Sequence, residues 1–204
     1  MKLVAAFFAA FVYVCFTQNL VLTGGYGASE VIRSAARPKQ IILFSIMIAY
    51  FSTVTSLICR VVLFIPAIKN SSTIISLAVY SGILTAVYFV SVLILKVLLG
   101  KSDWSDIEIE KFFRQTAVSA FNTIVLAIPF ITERATYGVH EAIAQGLGAG
   151  VAFLLATALV HLGMRKLEEN TEAPINFRGT PALFMYIAIL CLAFSGIMGK
   201  SLFF

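Results

Sequence analysis

Gln18-Asn19-Leu20-Val21-Leu22-Thr23-Gly24-Gly25 closes the first apolar run of the chain, and Asn122-Thr123-Ile124-Val125-Leu126 stands in the fourth. The two asparagines lie half a chain apart (122 − 19 = 103, of 204 residues). Each is followed by aliphatic residues and then by a helix breaker, Gly24-Gly25 in the first case and Pro129 in the second. Glycine frees the backbone and proline removes a hydrogen-bond donor, so helices one and four are predicted to be broken at these positions. Three apolar segments belong to each half. An odd number of crossings per repeat turns the second half upside down relative to the first, and paired interruptions in such repeats point to an intramembrane site where they meet.

The membrane assignment rests on composition. Hydrophobic residues make up 60% of the chain and charged residues 12%, against about 45–50% and about 25% in soluble domains. Mean hydropathy is +0.95. At about 20 residues per crossing the length holds about six spans. No Rossmann, P-loop or ferredoxin-like module fits beside them. The expected fold is an all-α polytopic membrane protein of about six helices in two inverted repeats. It forms one domain over 1–204, with repeat one at about 1–100 and repeat two at about 112–204.

Helix one is read as Leu3 to Leu22, a retained span rather than a signal peptide, since no small-residue cleavage site follows. An amphipathic piece, Ala28 to Ala36, comes next. Helix two is expected from Ile41 to Ile65, ending at Pro66, and helix three from Ile74 to Leu99. The polar stretch Lys101 to Gln115 carries Trp104 as an interfacial anchor, and Ser105 with Glu108 makes a capping box. Helix four is placed at Val118 to Ile131, helix five at Ala142 to Met164, and helix six at Pro181 to Phe203. Gly146 and Gly150 form a GxxxG pair that admits a close neighbour. Of 15 Lys and Arg, ten fall on the side away from the termini, which predicts both termini outside a prokaryotic plasma membrane.

Other chemistries find little footing. Cys15, Cys59 and Cys191 form no CxxC pair, so neither a disulfide framework nor a zinc site is expected. His140-Glu141 begins a zinc-protease motif, but residue 144 is alanine and the second ligand is missing. His161 near the basic end of helix five is read as an interfacial packing residue rather than a proton relay. The net charge of +5 reflects basic loops and implies no nucleic acid. No catalytic or metal-binding residue is assigned.

Ala173-Pro174-Ile175-Asn176-Phe177-Arg178-Gly179, followed by Leu190-Cys191-Leu192-Ala193-Phe194-Ser195-Gly196, resembles a loop and last helix of the Rnf and Nqr ion-pumping electron-transport complexes. Gly146-Leu147-Gly148-Ala149-Gly150-Val151 with Met164-Arg165-Lys166-Leu167 is similar to that family's fifth helix and its basic exit. Gln18-Asn19-Leu20-Val21-Leu22 resembles its helix-one signature. The resemblance covers essentially the whole chain, and the predicted outside termini fit the RnfA/NqrE type rather than the sister RnfE/NqrD type. It implies a membrane subunit working with a sister subunit and with flavin and iron–sulfur partners. It also implies a cysteine near each break, four of which across two subunits hold an intramembrane cluster. Here those positions fall on or near Ser29 and near Ala135, so this chain is expected to carry no cofactor of its own.

What replaces the cysteines is charge and polarity. The expected intramembrane polar site comprises Asn19, Ser29, Glu30, Arg33, Asn122, Glu133 and Arg134. Charges at that depth cost about 2.5–3.5 kcal/mol each on insertion scales, so they pair, line water or snorkel to the interface. Glu30 with Arg134, or Glu133 with Arg33, are the expected ion pairs if they lie deep. Thr132 and Ser29 are placed to cap exposed backbone. Three functions stay open: a non-catalytic subunit of an Rnf/Nqr-like redox-driven ion translocase, a small inverted-repeat transporter with a charged site, and a structural partner.

Overall fold

Inside lipid the backbone must satisfy its own hydrogen bonds, and long runs of Leu, Ile, Val, Phe and Ala do so as helices. The computed structural model describes residues 2–65, 68, 72–99, 106–134, 138–169 and 178–197. Among them all regular structure is helical. In order these are α1 (Lys2–Val12) with a π-helical turn (Tyr13–Thr17), α2 (Leu20–Gly24), α3 (Ala28–Ala35), α4 (Pro38–Val62), α5 (Thr73–Leu99), α6 (Asp106–Ala120), α7 (Thr123–Arg134), α8 (Val139–Glu169) and α9 (Thr180–Ile197). Four stretches are long and apolar enough to cross a membrane: Pro38–Val62, Thr73–Val97, Ile107–Glu133 and Val139–Glu169. Val4–Thr17 and Thr180–Gly196 are apolar but shorter. The chain is an integral membrane protein.

The centre is the contact between α4 and α8. A Cβ added at Gly146 would lie 2.5 Å from Thr53 Cα, and one at Gly150 would lie 2.5 Å from Ala49 Cβ and 2.7 Å from the Ser45 carbonyl. The pairing of 146 with 53 and 150 with 49 makes the two helices antiparallel, and only glycine lets them approach so closely. Gly148, on another side of α8, takes Val14 and the Phe11 carbonyl. Around this axis Ile48, Phe51, Ile124, Val125, Ile128 and Phe153 fill the core. By contrast, only 22% of the α5 span is buried, against 61% for α8. Ile74, Phe89, Leu93 and Val97 on α5 are exposed, which gives the bundle an apolar outer face.

Several boundaries differ from the sequence expectation. Helix one does not run to Leu22: its π turn ends at Thr17, and α2 starts after Asn19. A second interruption follows at Gly25 and Gly27, both left-handed at φ 69° and 71°. The polar stretch and helix four are redivided, since α6 runs from Asp106 to Ala120 and α7 begins at Thr123. Pro129 lies inside α7 and does not end it. The physical reason is local. Proline removes one hydrogen bond, which a helix survives, whereas Asn122 supplies an acceptor that lets a new helix start. Trp104, Ser105 and Ala135 lie outside the described residues, as do 170–177 and 198–204.

Candidate functional site

An asparagine in lipid must find partners for both ends of its amide, and Asn19 does. It is fully buried. Its Oδ1 accepts from the Val21 and Leu22 N–H groups at 3.2 and 3.3 Å, which caps α2. Its Nδ2 donates to the Cys15 carbonyl at 3.3 Å and to the Ala152 carbonyl of α8 at 3.1 Å. One side chain therefore closes the π turn, opens the next helix and ties both to the central helix. The α2 segment then ends at Gly25, where Gly25 N–H donates to Val21 O and Tyr26 N–H to Leu20 O. That pair of bonds around a left-handed glycine satisfies the freed carbonyls.

Asn122 occupies the matching place in the second half. It is buried, and its Oδ1 accepts from Ile124 N–H at 3.0 Å, capping α7. Its Nδ2 has no partner among the described residues. The two breaks meet directly. Gly27 N–H donates to Thr123 Oγ1 at 2.8 Å, and a Cβ at Gly27 would sit 2.7 Å from Asn122 Oδ1. The turn that interrupts the first half thus rests on the residues that restart the second.

The far end of α7 carries a second polar group. Thr132 Oγ1 lies 2.8 Å from the Ile128 carbonyl, to which it donates, and 3.2 Å from Ser56 Oγ on α4. Tyr80 of α5 donates its hydroxyl to Glu133 Oε2 at 2.7 Å, with its ring edge-on to Phe130 at 4.9 Å. On α4 and α8, Ser52, Thr55, Gln145 and Thr157 are buried with side-chain polar atoms that have no hydrogen-bond partner among the described residues. A polar seam thus runs through the packed core, where unpaired groups are costly.

Of the two expected ion pairs, the one between Arg33 and Glu133 is not formed. Arg33 pairs with Glu30 on its own helix, at 2.7 Å, and Glu133 takes Tyr80 instead. The Arg33–Glu133 pair is therefore corrected: three residues along one helix turn bring Glu30 and Arg33 together at no topological cost. The Arg134 side chain lies outside the described residues, and the Glu30–Arg134 pair with it. Ser29 is on α3 and exposed. His161 reaches the Ala35 carbonyl through Nδ1 at 2.7 Å and so braces the end of α3 against α8. Tyr80 and Gln145 are absent from the sequence-derived site. Scanning the spans for uncharged polar residues, rather than for charges, finds both.

Cys15 lies one turn before the interruption at Gln18-Asn19, in the π turn, buried and with Sγ 3.7 Å from the Gly148 carbonyl. Cys59 and Cys191 are on α4 and α9. Among the described residues, no three His, Cys, Asp or Glu side chains gather where they could hold a metal.

No family profile matches the chain. Individual proteins do. The chain is 32% identical over 78 residues to the A component of the ion-translocating oxidoreductase complex of Aromatoleum aromaticum, which is 38% of this chain and 40% of that protein. It is 33% identical over 76 residues to the E component of the Na(+)-translocating NADH-quinone reductase of Pseudoalteromonas translucida, covering 37% of each. It is 35% identical over 79 residues to the A component of the oxidoreductase complex of Pseudomonas paraeruginosa, again 40% of that relative. The matched stretch therefore spans about two fifths of these relatives. They are the same two components that the residues themselves suggest, and over this stretch the chain is similar to them.

Proposed function

We propose that this chain is a membrane subunit of an ion-translocating oxidoreductase complex in a bacterial plasma membrane, built as two inverted three-helix repeats whose broken helices meet within the bilayer. The observation that carries this reading is the contact of Gly27 with Thr123 and Asn122, which joins the interruption of one half to that of the other. The repeat has further support in the sequence. Ser29-Glu30 and Thr132-Glu133 stand at the same offset as Asn19 and Asn122. The similarity to the Rnf and Nqr components adds the class of assembly. Arg33, Arg37, Lys111 and Arg114 line one cavity, so these basic residues share one face of the bundle, in keeping with termini on the opposite, outer side.

An iron–sulfur cluster does not fit the residues present. Thiolate ligation is what such clusters need. Ser29 offers a hydroxyl instead, and Cys15 points away toward Gly148. In our reading this chain carries no cluster and passes no electron itself. A sister membrane subunit and flavin- and iron–sulfur-bearing subunits do the redox chemistry, while this chain supplies half of the membrane scaffold.

The Tyr80–Glu133 pair and the Gln145 amide, which has no partner among the described residues, favour a second reading, a small transporter whose polar seam handles an ion or solute. Affinity isolation from native membranes separates the two. Co-isolation of flavin-bearing and ferredoxin-like subunits in fixed ratio supports the complex. Isolation of the chain alone, together with solute flux in reconstituted vesicles, overturns it in favour of the transporter. Iron and acid-labile sulfide above background in the purified chain would sink the cluster-free reading.

A further inference from the structure

Four cationic side chains converge where the two halves meet on the basic face. Arg33 and Arg37 come from the end of α3 and the turn into α4, and Lys111 and Arg114 from one face of α6. They surround a cavity of about 640 Å³, with no carboxylate among its described lining residues. Glu30 answers Arg33 alone. Arg37, Lys111 and Arg114 have no ion-pair partner among the described residues. Basic residues on a cytoplasmic face need no special cause, but scattered loop charges extend separately into water. Here they share one concavity, where like charges raise each other's energy and focus a positive potential.

Ser34 gives the independent sign of a ligand. It lines the same cavity, is only 2% exposed, and its hydroxyl has no hydrogen-bond partner among the described residues. Elsewhere in this chain Ser45, Ser81 and Ser91 bond back to the carbonyl four residues earlier. Ser34, like the helical Ser52 and Ser119, forgoes that bond, and of the three it alone lines this cavity. The amides of Gln40 and Gln115 line the cavity beside it, and the first turn of α4 adds the positive end of a helix dipole. Guanidinium forks, an ammonium, a hydroxyl and carboxamides are the donor set that a tetrahedral oxyanion requires.

We propose that this cavity binds a phosphate group, carried either by an anionic phospholipid headgroup or by a soluble phosphate ester. The test uses the full chain purified in a neutral detergent, with thermal unfolding as readout. One arm adds phosphatidylglycerol or cardiolipin against phosphatidylcholine. The other adds inorganic pyrophosphate against chloride at equal ionic strength. We expect concentration-dependent stabilisation in one arm, which identifies the source. The Arg37→Gln/Arg114→Gln variant should lose about tenfold or more in apparent affinity, because charge-assisted bonds are removed. Arg165→Gln, a basic residue outside the cavity, should retain it. If the double variant does not fold, Lys111→Gln and Ser34→Ala each replace it, with a loss of about threefold or more expected. No stabilisation by either phosphate source in the wild type overturns the proposal. So does equal stabilisation of the wild type and the cavity variants.

Discussion

Asn19 and Asn122 do the same work with one end of the amide and different work with the other. Each carbonyl oxygen caps a restarting helix. Only Asn19 spends its nitrogen, on Cys15 and on Ala152 of the central helix, whereas the nitrogen of Asn122 is unpaired among the described residues. The first break is therefore a locked joint, and the second has a spare donor beside the packed turn of the other half. Interruptions that look equivalent along the chain thus differ in how completely their polar groups are satisfied. Completeness, rather than the interruption itself, sets rigidity at membrane depth.

The largest test of that contrast is Asn19→Ser. Serine caps a helix about as well as asparagine, so the Val21 and Leu22 bonds have a replacement while both amide donations are lost. A loss of about 2–3 kcal/mol is expected, for two hydrogen bonds whose carbonyls stay buried. Denaturant titration in detergent measures it, and a variant as stable as wild type would remove the idea of a locked joint.

Next in size is the contact between the breaks. Gly25 and Gly27 are both left-handed, but a Cβ at Gly25 meets nothing within 4 Å, while one at Gly27 collides with Asn122 Oδ1 and Ile124. Gly25→Ala should cost about 1 kcal/mol for its backbone alone. Gly27→Ala should cost about 2 kcal/mol or more, since the second half must also shift. Equal melting temperatures for the two variants would mean that the breaks touch without consequence.

A smaller effect concerns the end of α7. Tyr80→Phe keeps the ring against Phe130 and removes only the hydroxyl that Glu133 accepts. About 1 kcal/mol of stability should go. If the polar seam conducts an ion, flux in vesicles should change more than stability does; a variant unaltered in both would make Tyr80 a packing residue only.

How far the sequence can be read follows the same logic. The helical membrane character and the rough position of the long apolar segments are legible, because hydropathy over about 20 residues is a sum that local detail cannot overturn. The importance of Asn19 and Asn122 is legible from their repetition. Their role is not: the break expected at Gly24-Gly25 is present, but the one expected at Pro129 is not, and Asn19 and Asn122 decide where helices restart. Charge pairing is legible only within one turn. Glu30 with Arg33 needs no tertiary knowledge, whereas Glu133 with Tyr80 joins α7 to α5 across half of the bundle. The cavity of Arg33, Arg37, Lys111 and Arg114 meets the same obstacle, since counting basic residues by side gives their sign and not their convergence.

The smallest expected effect is also the sharpest discriminator. Asn122→Ser retains an acceptor for Ile124 N–H, shortens the side chain beside Gly27, and discards an Nδ2 without a partner among the described residues. By the same arithmetic that makes Asn19→Ser severe, this change should alter stability by less than about 0.5 kcal/mol. Identical chemistry is exchanged at two places half a chain apart, so helix propensity and side-chain volume cancel between the experiments. What remains is the pair of bonds from Asn19 Nδ2. If Asn122→Ser proves as damaging as Asn19→Ser, then the nitrogen of Asn122 has a partner that matters, and the second break is held as firmly as the first.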